Sequence, residues 1–249
     1  MRKVASLTRA LVYALACCVL CGCCWAQANL RTVLLIKVKL DQEDSWKSSV
    51  RDYVALMKKA GSEQAFTTWE SQTGPHMHAV VWYSAKWKDM GEDNPKLKSS
   101  AADLASLFGR LNNETDSLET WIDELQPDMA IPVKEMPAMV RTGRTRVVSG
   151  KMDDIKAIFH EQIVPAVKKS GATGYGVFLP RFGTPTNEIH SFIALSGWGD
   201  LDGPIGAEKG MTAAEFKAFQ AKLAPLIEGT EWAIWKYEPD LSYLPAASK

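Results

Sequence analysis

The sequence predicts an α+β fold made of two tandem βαββαβ units. Two observations predict it: segments of the chain recur in the same order after about 110 residues, and each copy alternates strand-like and helix-like hydrophobic patterns. The composition agrees, since 46% of the 249 residues are hydrophobic and 23% are charged. Such fractions are typical of globular proteins and argue against disordered chains, collagen, coiled coils and polytopic membrane proteins.

The repeat rests on four pairs of matching segments. They are LMKKAG at 56–61 with AVKKSG at 166–171, HAVVWYSAKW from 78 with HSFIALSGW from 190, SAADLASLFGRL from 100 with TAAEFKAFQAKL from 212, and QPDMA from 126 with EPDLS from 238. All four keep their order, with one two-residue indel. We therefore predict a duplication, with a first unit at residues 29–135 and a second at 136–249.

The first unit is predicted from hydrophobic period and from residues that end helices or form turns. Its elements are a strand at 31–40, a helix at 45–60, strands at 65–71 and 77–84, a helix from residue 100 and a strand at 118–125. Gly61 suits the end of the first helix, and Gly74-Pro75 suits a turn between the middle strands. Ser100, with Asp103 three residues later, is a weakened capping box for the second helix.

The second unit repeats this order. Its elements are a strand at 144–151, a helix at 154–170, strands at 174–179 and 189–196, a helix at 212–227 and a strand at 231–237. Thr212 and Glu215 form a full capping box at the start of the last helix. Pro127, Pro132 and Pro137 disfavour a helix between the units, which places their junction near residues 130–140.

The βαββαβ order is the ferredoxin-like arrangement, and two such sheets can pack face to face with their helices outside. Together with the segment IFHEQIVPAVKKSGATGYGVF at 158–178, the duplicated units resemble the dimeric α+β-barrel superfamily. That group includes antibiotic-biosynthesis-monooxygenase, EthD and NIPSNAP-like domains. The resemblance covers nearly the whole chain after residue 28 in element order, and it implies a fused pseudo-dimer closing into one α+β barrel.

The first 28 residues are predicted to be a signal peptide. Arg2, Lys3 and Arg9 precede an apolar run at 10–20 that is too short to span a bilayer, and Ala26 and Ala28 supply a cleavage pattern. The mature chain would then begin near Asn29 and be exported to the periplasm or the cell exterior.

A second interpretation of the leader is a lipid anchor. The sequence Leu20-Cys21-Gly22-Cys23 resembles a bacterial lipobox, in which Cys23 would carry the lipid at the cell envelope. All five cysteines lie between Cys17 and Cys24, so the chain after the leader can hold no disulfide, cysteine nucleophile or thiolate metal site.

The charge pattern after the leader excludes some partners. The leader holds three basic residues and no acidic one, while the whole chain balances 29 basic against 29 acidic residues, so the rest is mildly acidic. No long basic run occurs, which argues against nucleic acid as a partner. No later apolar stretch has the length of a membrane-spanning helix.

Candidate site residues follow from the two-residue period of strands. His78 and Trp82 share one face of the third strand of the first unit, and His190 and Phe192 match them in the second unit. We expect this face to point into the barrel. The alternative is that each histidine is a hydrogen-bonded core residue.

The first and last strands add three candidates to this pocket. Lys39 and Lys151 are matched near the ends of the first strands, and Trp235 shares its strand face with Ala233. The lysines have an alternative place in solvent, because a buried ammonium group is costly. No metal site is predicted, since His76 and His78 share a strand face but no third ligand is identifiable.

These residues predict a small apolar or aromatic ligand in the barrel interior, with the reaction unspecified. One alternative, implied by the resemblance, is a monooxygenase-like enzyme working without a cofactor or with haem. A second is a structural or interaction module with a filled interior. Matched positions differ, as with Trp82 against Ala194 and Asp123 against Trp235, so one specialised site is expected rather than two equal ones.

Overall fold

The computed structural model describes residues 29–90 and 95–245. The predicted signal peptide, its cleavage site and Cys23 lie outside this part of the chain. Within it, every helix is too short or too polar to cross a lipid bilayer.

The described residues form eight strands and six α-helices, besides short 3-10 and π-helical turns, in the order β1 α1 β2 β3 α2 β4 β5 α3 α4 β6 β7 α5 α6 β8. The strands are β1 Leu30–Val38, β2 Phe66–Ser71, β3 His78–Ser84, β4 Thr115–Leu125, β5 Met139–Val147, β6 Tyr175–Phe182, β7 Glu188–Leu195 and β8 Ile227–Tyr237. The helices are α1 Glu43–Ala60, α2 Ala101–Glu114, α3 Met152–Ile158, α4 Val164–Lys169, α5 Ala207–Gly210 and α6 Ala213–Leu223.

Two helical features differ from expectation. The helix predicted at 154–170 is divided into α3 and α4 by a π-helical turn at Phe159–Ile163. Pro165 lies just after that turn. Because proline has no N–H to donate to the carbonyl one turn back, a regular α-helix would lose that hydrogen bond in any case, and a wider turn is tolerated there. The short helix α5 was not predicted, because its four residues are too few to display a helical period.

The strands close into one antiparallel barrel with the order β1-β3-β2-β8-β5-β7-β6-β4. The order β4-β1-β3-β2 in the first half is the same as β8-β5-β7-β6 in the second. The halves are joined at two seams, β2 with β8 and β4 with β6. The molecule is thus an α+β protein with an eight-stranded antiparallel barrel.

Helix α1 illustrates why the helices lie outside the barrel. Trp46, Val50, Val54 and Met57 recur every three or four residues on one face, and all are buried against β1 and β3. The helix ends where Gly61 adopts φ 59°, a left-handed conformation that glycine adopts without strain.

The barrel interior is a separate apolar cluster to which both halves contribute. Its buried members are Val33, Trp69, Ala79, Val81, Trp121 and Val140, packed against Phe192, Trp235 and Tyr237 among others. Large aromatic side chains therefore fill much of the interior.

A shared strand irregularity relates the two halves residue by residue. The pairing of β1 with β4 shifts register between Lys37 and Val38, and that of β5 with β8 shifts between Arg146 and Val147. Val38 therefore corresponds to Val147. Two residues earlier in each strand, Ile36 of β1 pairs with His78 of β3, and Thr145 of β5 pairs with Ile189 of β7. It follows that His78 corresponds to Ile189, one residue away from the match that sequence similarity suggests.

Candidate functional site

A network of charged side chains lies inside one end of the barrel. Asp123 on β4 is fully buried and accepts two hydrogen bonds from Arg31 on β1, at 2.6 Å from Nε and 2.8 Å from Nη2. His190 on β7 brings Nδ1 to 2.9 Å from the second carboxylate oxygen of Asp123. The three residues come from three strands and from both halves of the chain.

The network continues from His190 to the barrel rim. Its Nε2 lies 3.2 Å from Glu188 Oε2, which also accepts a hydrogen bond of 3.2 Å from Arg144 Nη2. Arg146, which is more exposed, lies 3.7 Å from the other oxygen of Glu188. Each ring nitrogen of His190 therefore faces a carboxylate oxygen, which accepts a hydrogen bond from a ring nitrogen that carries hydrogen.

The charges of this network are set by burial and by neighbours acting against each other. Burial alone would raise the pKa of Asp123, but Arg31 and His190 outweigh it and hold that pKa below its ordinary value. Burial would also raise the pKa of Glu188, but His190 and Arg144 outweigh it and hold that pKa below its ordinary value. Both carboxylates are therefore ionised at neutral pH.

Aromatic rings and two unpaired donors adjoin the network. The guanidinium of Arg31 lies 3.6 Å from the ring centre of Phe178, and that of Arg144 lies 5.4 Å from the ring centre of Trp121. His190 meets Trp121 edge to face at 5.7 Å. Trp121 Nε1 and Arg144 Nε are buried, and neither has an acceptor among the described residues.

The opposite end of the barrel lacks this chemistry. The strand pairing matches Arg31 with Val140 and His190 with Ala79. Asp123 matches Trp235, because β4 and β8 keep the spacing that sequence similarity gives. Trp235 there donates from Nε1 to Thr142 at 2.9 Å. The interior is thus polar at one end and apolar at the other.

The predicted inward orientation of His78 and Trp82 is wrong. The ring of His78 stacks on Trp46 of α1 at 4.3 Å, and Trp82 packs with Phe66 in the cluster between α1 and the sheet. Because adjacent strand residues point to opposite faces, the one-residue error in matching β3 to β7 reversed the inferred face. Ala79 and Val81 face the interior instead.

The other candidates are divided between interior and surface. His190, Phe192 and Trp235 point into the barrel, as the strand period predicts. Lys39 and Lys151 do not: Lys39 Nζ donates to the Asn113 carbonyl at 2.5 Å, and Lys151 Nζ pairs with a helix carboxylate at 2.9 Å. Both lysines are exposed outside the barrel, since each lies beyond the end of its strand.

Sequence reasoning missed Arg31, Arg144 and Glu188. Arg31 shares its strand face with Val33 and Leu35, so extending the first-strand pattern toward the N-terminus would have found it. Arg144 has no such signal, because its orientation depends on where β5 shifts register against β8.

His78 belongs to a second polar cluster, on the outer face of the first half. Its Nε2 lies 2.8 Å from Glu43 Oε1, in the first turn of α1. His76 Nε2 lies 3.3 Å from the same oxygen and 3.7 Å from Glu70 Oε1. Lys47 Nζ lies 3.0 Å from the Glu43 carboxylate and 3.5 Å from that of Glu70.

Protonation in this outer cluster follows from burial and pairing. Burial lowers the pKa of His78 more than Glu43 raises it, so this imidazole is neutral at neutral pH. Burial alone would raise the pKa of Glu43, but Lys47, His78 and His76 reverse that effect and lower it to about 2.

The interior does not fit haem bound through a histidine. An axial histidine ligates iron through a ring nitrogen with a free lone pair. Within residues 29–90 and 95–245, His190 is the one histidine that points into the barrel, and a carboxylate lies within hydrogen-bond reach of each of its nitrogens. Trp121 lies against its ring.

The fold is similar to that of several solved structures. A protein from Fusobacterium nucleatum named as a candidate monooxygenase is 16% identical, with 84% of this chain and 92% of that chain covered at a TM-score of 0.61. An anthrone oxidase-like protein is 10% identical, with coverage of 85% and 92% and a TM-score of 0.56. A heme-binding protein from Thermus thermophilus is 6% identical, with coverage of 86% and 92% and a TM-score of 0.50.

These similarities establish that the chain has the fold of the dimeric α+β-barrel superfamily. The sequence matches no protein-family model and no curated protein.

Proposed function

We propose that this chain is a monooxygenase-like enzyme that oxidises a small, oxygen-bearing aromatic molecule at the polar end of the barrel. The observation that carries the proposal is a pair of buried donors beside the charged network, Trp121 Nε1 and Arg144 Nε, which have no acceptor among the described residues. The names of similar structures, a candidate monooxygenase and an anthrone oxidase-like protein, support the reaction class.

The two donors suit a substrate that develops negative charge on oxygen. An anthrone-type substrate would lose a C–H proton, which ends in the water that the reaction forms, to give an enolate. The enolate oxygen would accept a hydrogen bond from these donors while Arg31 and Arg144 offset its charge. Such an anion transfers electrons to O₂. Overall, one anthrone and one O₂ give one anthraquinone and one water, as the ring methylene loses two C–H bonds and gains a C=O bond.

Oxygen uptake with anthrone as the probe tests this proposal. Trp121→Phe removes only the N–H donor and keeps the ring, so kcat/KM should fall by about a hundredfold, the loss typical of one oxyanion donor. Trp69→Phe is the matched control, because Trp69 Nε1 already donates to Thr67 at 2.9 Å. Equal activity in both variants would contradict the proposed site.

A binding function without chemistry is the second candidate. The same donors and the aromatic walls formed by Trp121 and Phe178 would hold an aromatic ligand that carries an acceptor oxygen. The wild-type chain would then bind anthraquinone-2-sulfonate in a calorimetric titration but take up no oxygen with anthrone. A chain that neither binds anthraquinone-2-sulfonate nor takes up oxygen with anthrone would support the structural-module alternative.

We also propose that residues 29–135 and 136–249 are tandem ferredoxin-like repeats. Their identical strand orders and their shared register shift support this. Each half expressed alone would expose two seam strands, so the halves should associate when mixed. Size-exclusion chromatography of the mixed halves, with each half alone as the control, measures this association.

Export is the remaining proposal about the chain. The leader pattern supports cleavage before Asn29, with lipid attachment at Cys23 as the alternative. Mass spectrometry of the chain from the native envelope distinguishes a free N-terminal Asn29 from a lipid-bearing Cys23. Retention of Met1 to Ala28 in that sample would contradict both forms.

A further inference from the structure

We propose that Glu43, Glu70, His76 and His78 bind a divalent transition-metal ion on the outer face of the first half. The four side chains come from the first turn of α1, from β2 and from the segment that leads into β3. Each offers one ligand atom, and these atoms all lie within 4.8 Å of one another.

Three of the six separations between the ligand atoms lie near the spacing that such an ion needs. A tetrahedral ion with ligands at about 2.1 Å holds them about 3.4 Å apart. The separations are 2.8 Å between His78 and Glu43, 3.3 Å between His76 and Glu43, and 3.7 Å between His76 and Glu70. Two imidazoles and two carboxylates are a donor set that suits Zn²⁺ and its neighbours in the transition series.

The outer cluster is accessible on one side and rigid on the other. His78 is fully buried and held by stacking on Trp46, and its Nδ1 has no partner among the described residues. His76 has a 55% exposed side chain, which gives an ion a path from solvent.

The second half indicates that this fold does not require polar residues here. Glu43 corresponds to Met152, the first residue of α3, and His78 corresponds to Ile189. Glu70 pairs with His78 across β2 and β3. In the second half Phe178 pairs with His190, so the next residue, Leu179, lies opposite Ile189 and takes the place of Glu70. All three replacements belong to the apolar cluster between the helices and the sheet. Well-packed apolar residues replace buried ion pairs without loss of stability. Stability therefore does not explain the polar residues of the first half, whereas a bound ion would.

Lys47 supplies the positive charge in the absence of an ion. Its Nζ lies 3.0 Å from Glu43 Oε1 and 3.5 Å from Glu70 Oε1, so it contacts both carboxylates of the cluster. A bound dication would displace this ammonium group, which is on a flexible side chain. Lys47 therefore competes with the ion, and its removal should strengthen binding.

Titration of the purified full chain with Zn²⁺ tests the proposal. The chain carries no affinity tag, and its leader cysteines are alkylated so that they bind no zinc. We expect one ion per chain and a rise of several degrees in Tm, because the ion ties the start of α1 to the sheet. The absence of binding at micromolar Zn²⁺ would overturn the proposal.

Single variants locate the ion. His76→Ala lies in an exposed segment and should weaken Zn²⁺ affinity by at least about tenfold without unfolding the chain. His160→Ala, at an exposed helical position, is the matched control and should leave affinity unchanged. Lys47→Met should increase affinity by about tenfold, since a competing charge is lost. Equal affinity in His76→Ala and His160→Ala would overturn the proposal.

A triple variant separates binding from folding. Glu43→Met, Glu70→Leu and His78→Ile together copy the second half, so the chain should fold with its circular dichroism spectrum retained and bind no Zn²⁺. Zinc binding that persists in this folded variant would also overturn the proposal. Oxygen uptake with anthrone should be unchanged, which keeps this test independent of the proposed enzyme activity.

Discussion

Asp123 joins Arg31 on β1 to His190 on β7 inside the barrel. It is fully buried, pairs with the Arg31 guanidinium through both oxygens, and contacts His190. Removal of its charge leaves the Arg31 guanidinium without its carboxylate partner inside the barrel. At this scale, a single carboxylate stabilises contacts between strands from both halves.

Asp123→Asn should lower the free energy of unfolding by about 3–5 kcal/mol, because it breaks a buried ion pair while leaving the partner charge in place. Urea unfolding monitored by tryptophan fluorescence measures the change. Asp128→Asn, at an exposed position, is the control and should change stability by less than about 0.5 kcal/mol. A loss below about 1 kcal/mol in Asp123→Asn would contradict the role of this carboxylate.

The lowered pKa values of Asp123 and Glu188 also predict how stability depends on pH. Their folded-state values lie below the ordinary carboxyl values near pH 4. Their stabilisation is complete above that pH and is lost as pH falls through the lower folded-state values. Urea midpoints measured between pH 6 and pH 2.5 should therefore fall more steeply in the wild type than in Asp123→Asn. Parallel curves would contradict the assigned shifts.

Among the elements, the contact between α4 and α5 is unusually close. A methyl group added at Gly210 would lie 1.9 Å from the carbonyl oxygen of Ala166, which is backbone and cannot rotate away. The glycine therefore sets the distance between the two helices.

Gly210→Ala should destabilise the chain by about 2–4 kcal/mol, since helix α5 must move away from α4. Gly109→Ala is the matched control, because Gly109 lies in α2 with nothing within 4 Å of an added methyl group. That control should stabilise the chain by about 0.5–1 kcal/mol through helix propensity. Thermal unfolding of both variants measures the difference, and the same sign in both would contradict the assigned contact.

The sequence was sufficient to predict seven of the eight strands and most helices, because each has a clear hydrophobic period or cap. The strand predicted at 144–151 lies instead at Met139–Val147. The sequence could not place every strand face. The pairs His78–His190 and Lys39–Lys151 match in sequence, but the indel between the halves falls elsewhere, so these pairs are not equivalent in the barrel. A strand face depends on the exact register, and only hydrogen-bonded pairing fixes it.

At the scale of the whole molecule, the barrel has one interior shared by both halves. Val33, Trp69 and Trp121 of the first half pack with Val140 and Trp235 of the second. Two strand seams close the same barrel. Neither half therefore has a complete core of its own.

We expect the two halves to unfold together in one transition. Differential scanning calorimetry should give one peak whose calorimetric and van't Hoff enthalpies agree. Trp235→Ala removes interior packing from the second half and should lower the free energy of unfolding by about 3–5 kcal/mol. The single peak should then move to a lower temperature without splitting. Two separate peaks would contradict a shared core.

The polar end of the barrel is the proposed place of substrate binding, and nuclear magnetic resonance tests this most directly. The indole N–H signal of Trp121, assigned with Trp121→Phe, is followed while anthraquinone-2-sulfonate is added. Because Trp121 Nε1 has no acceptor within the described chain, a ligand oxygen should shift its proton downfield, while the Thr67-bonded Trp69 signal stays in place. An unmoved Trp121 signal at saturating ligand, or equal shifts at both tryptophans, would contradict the proposed site.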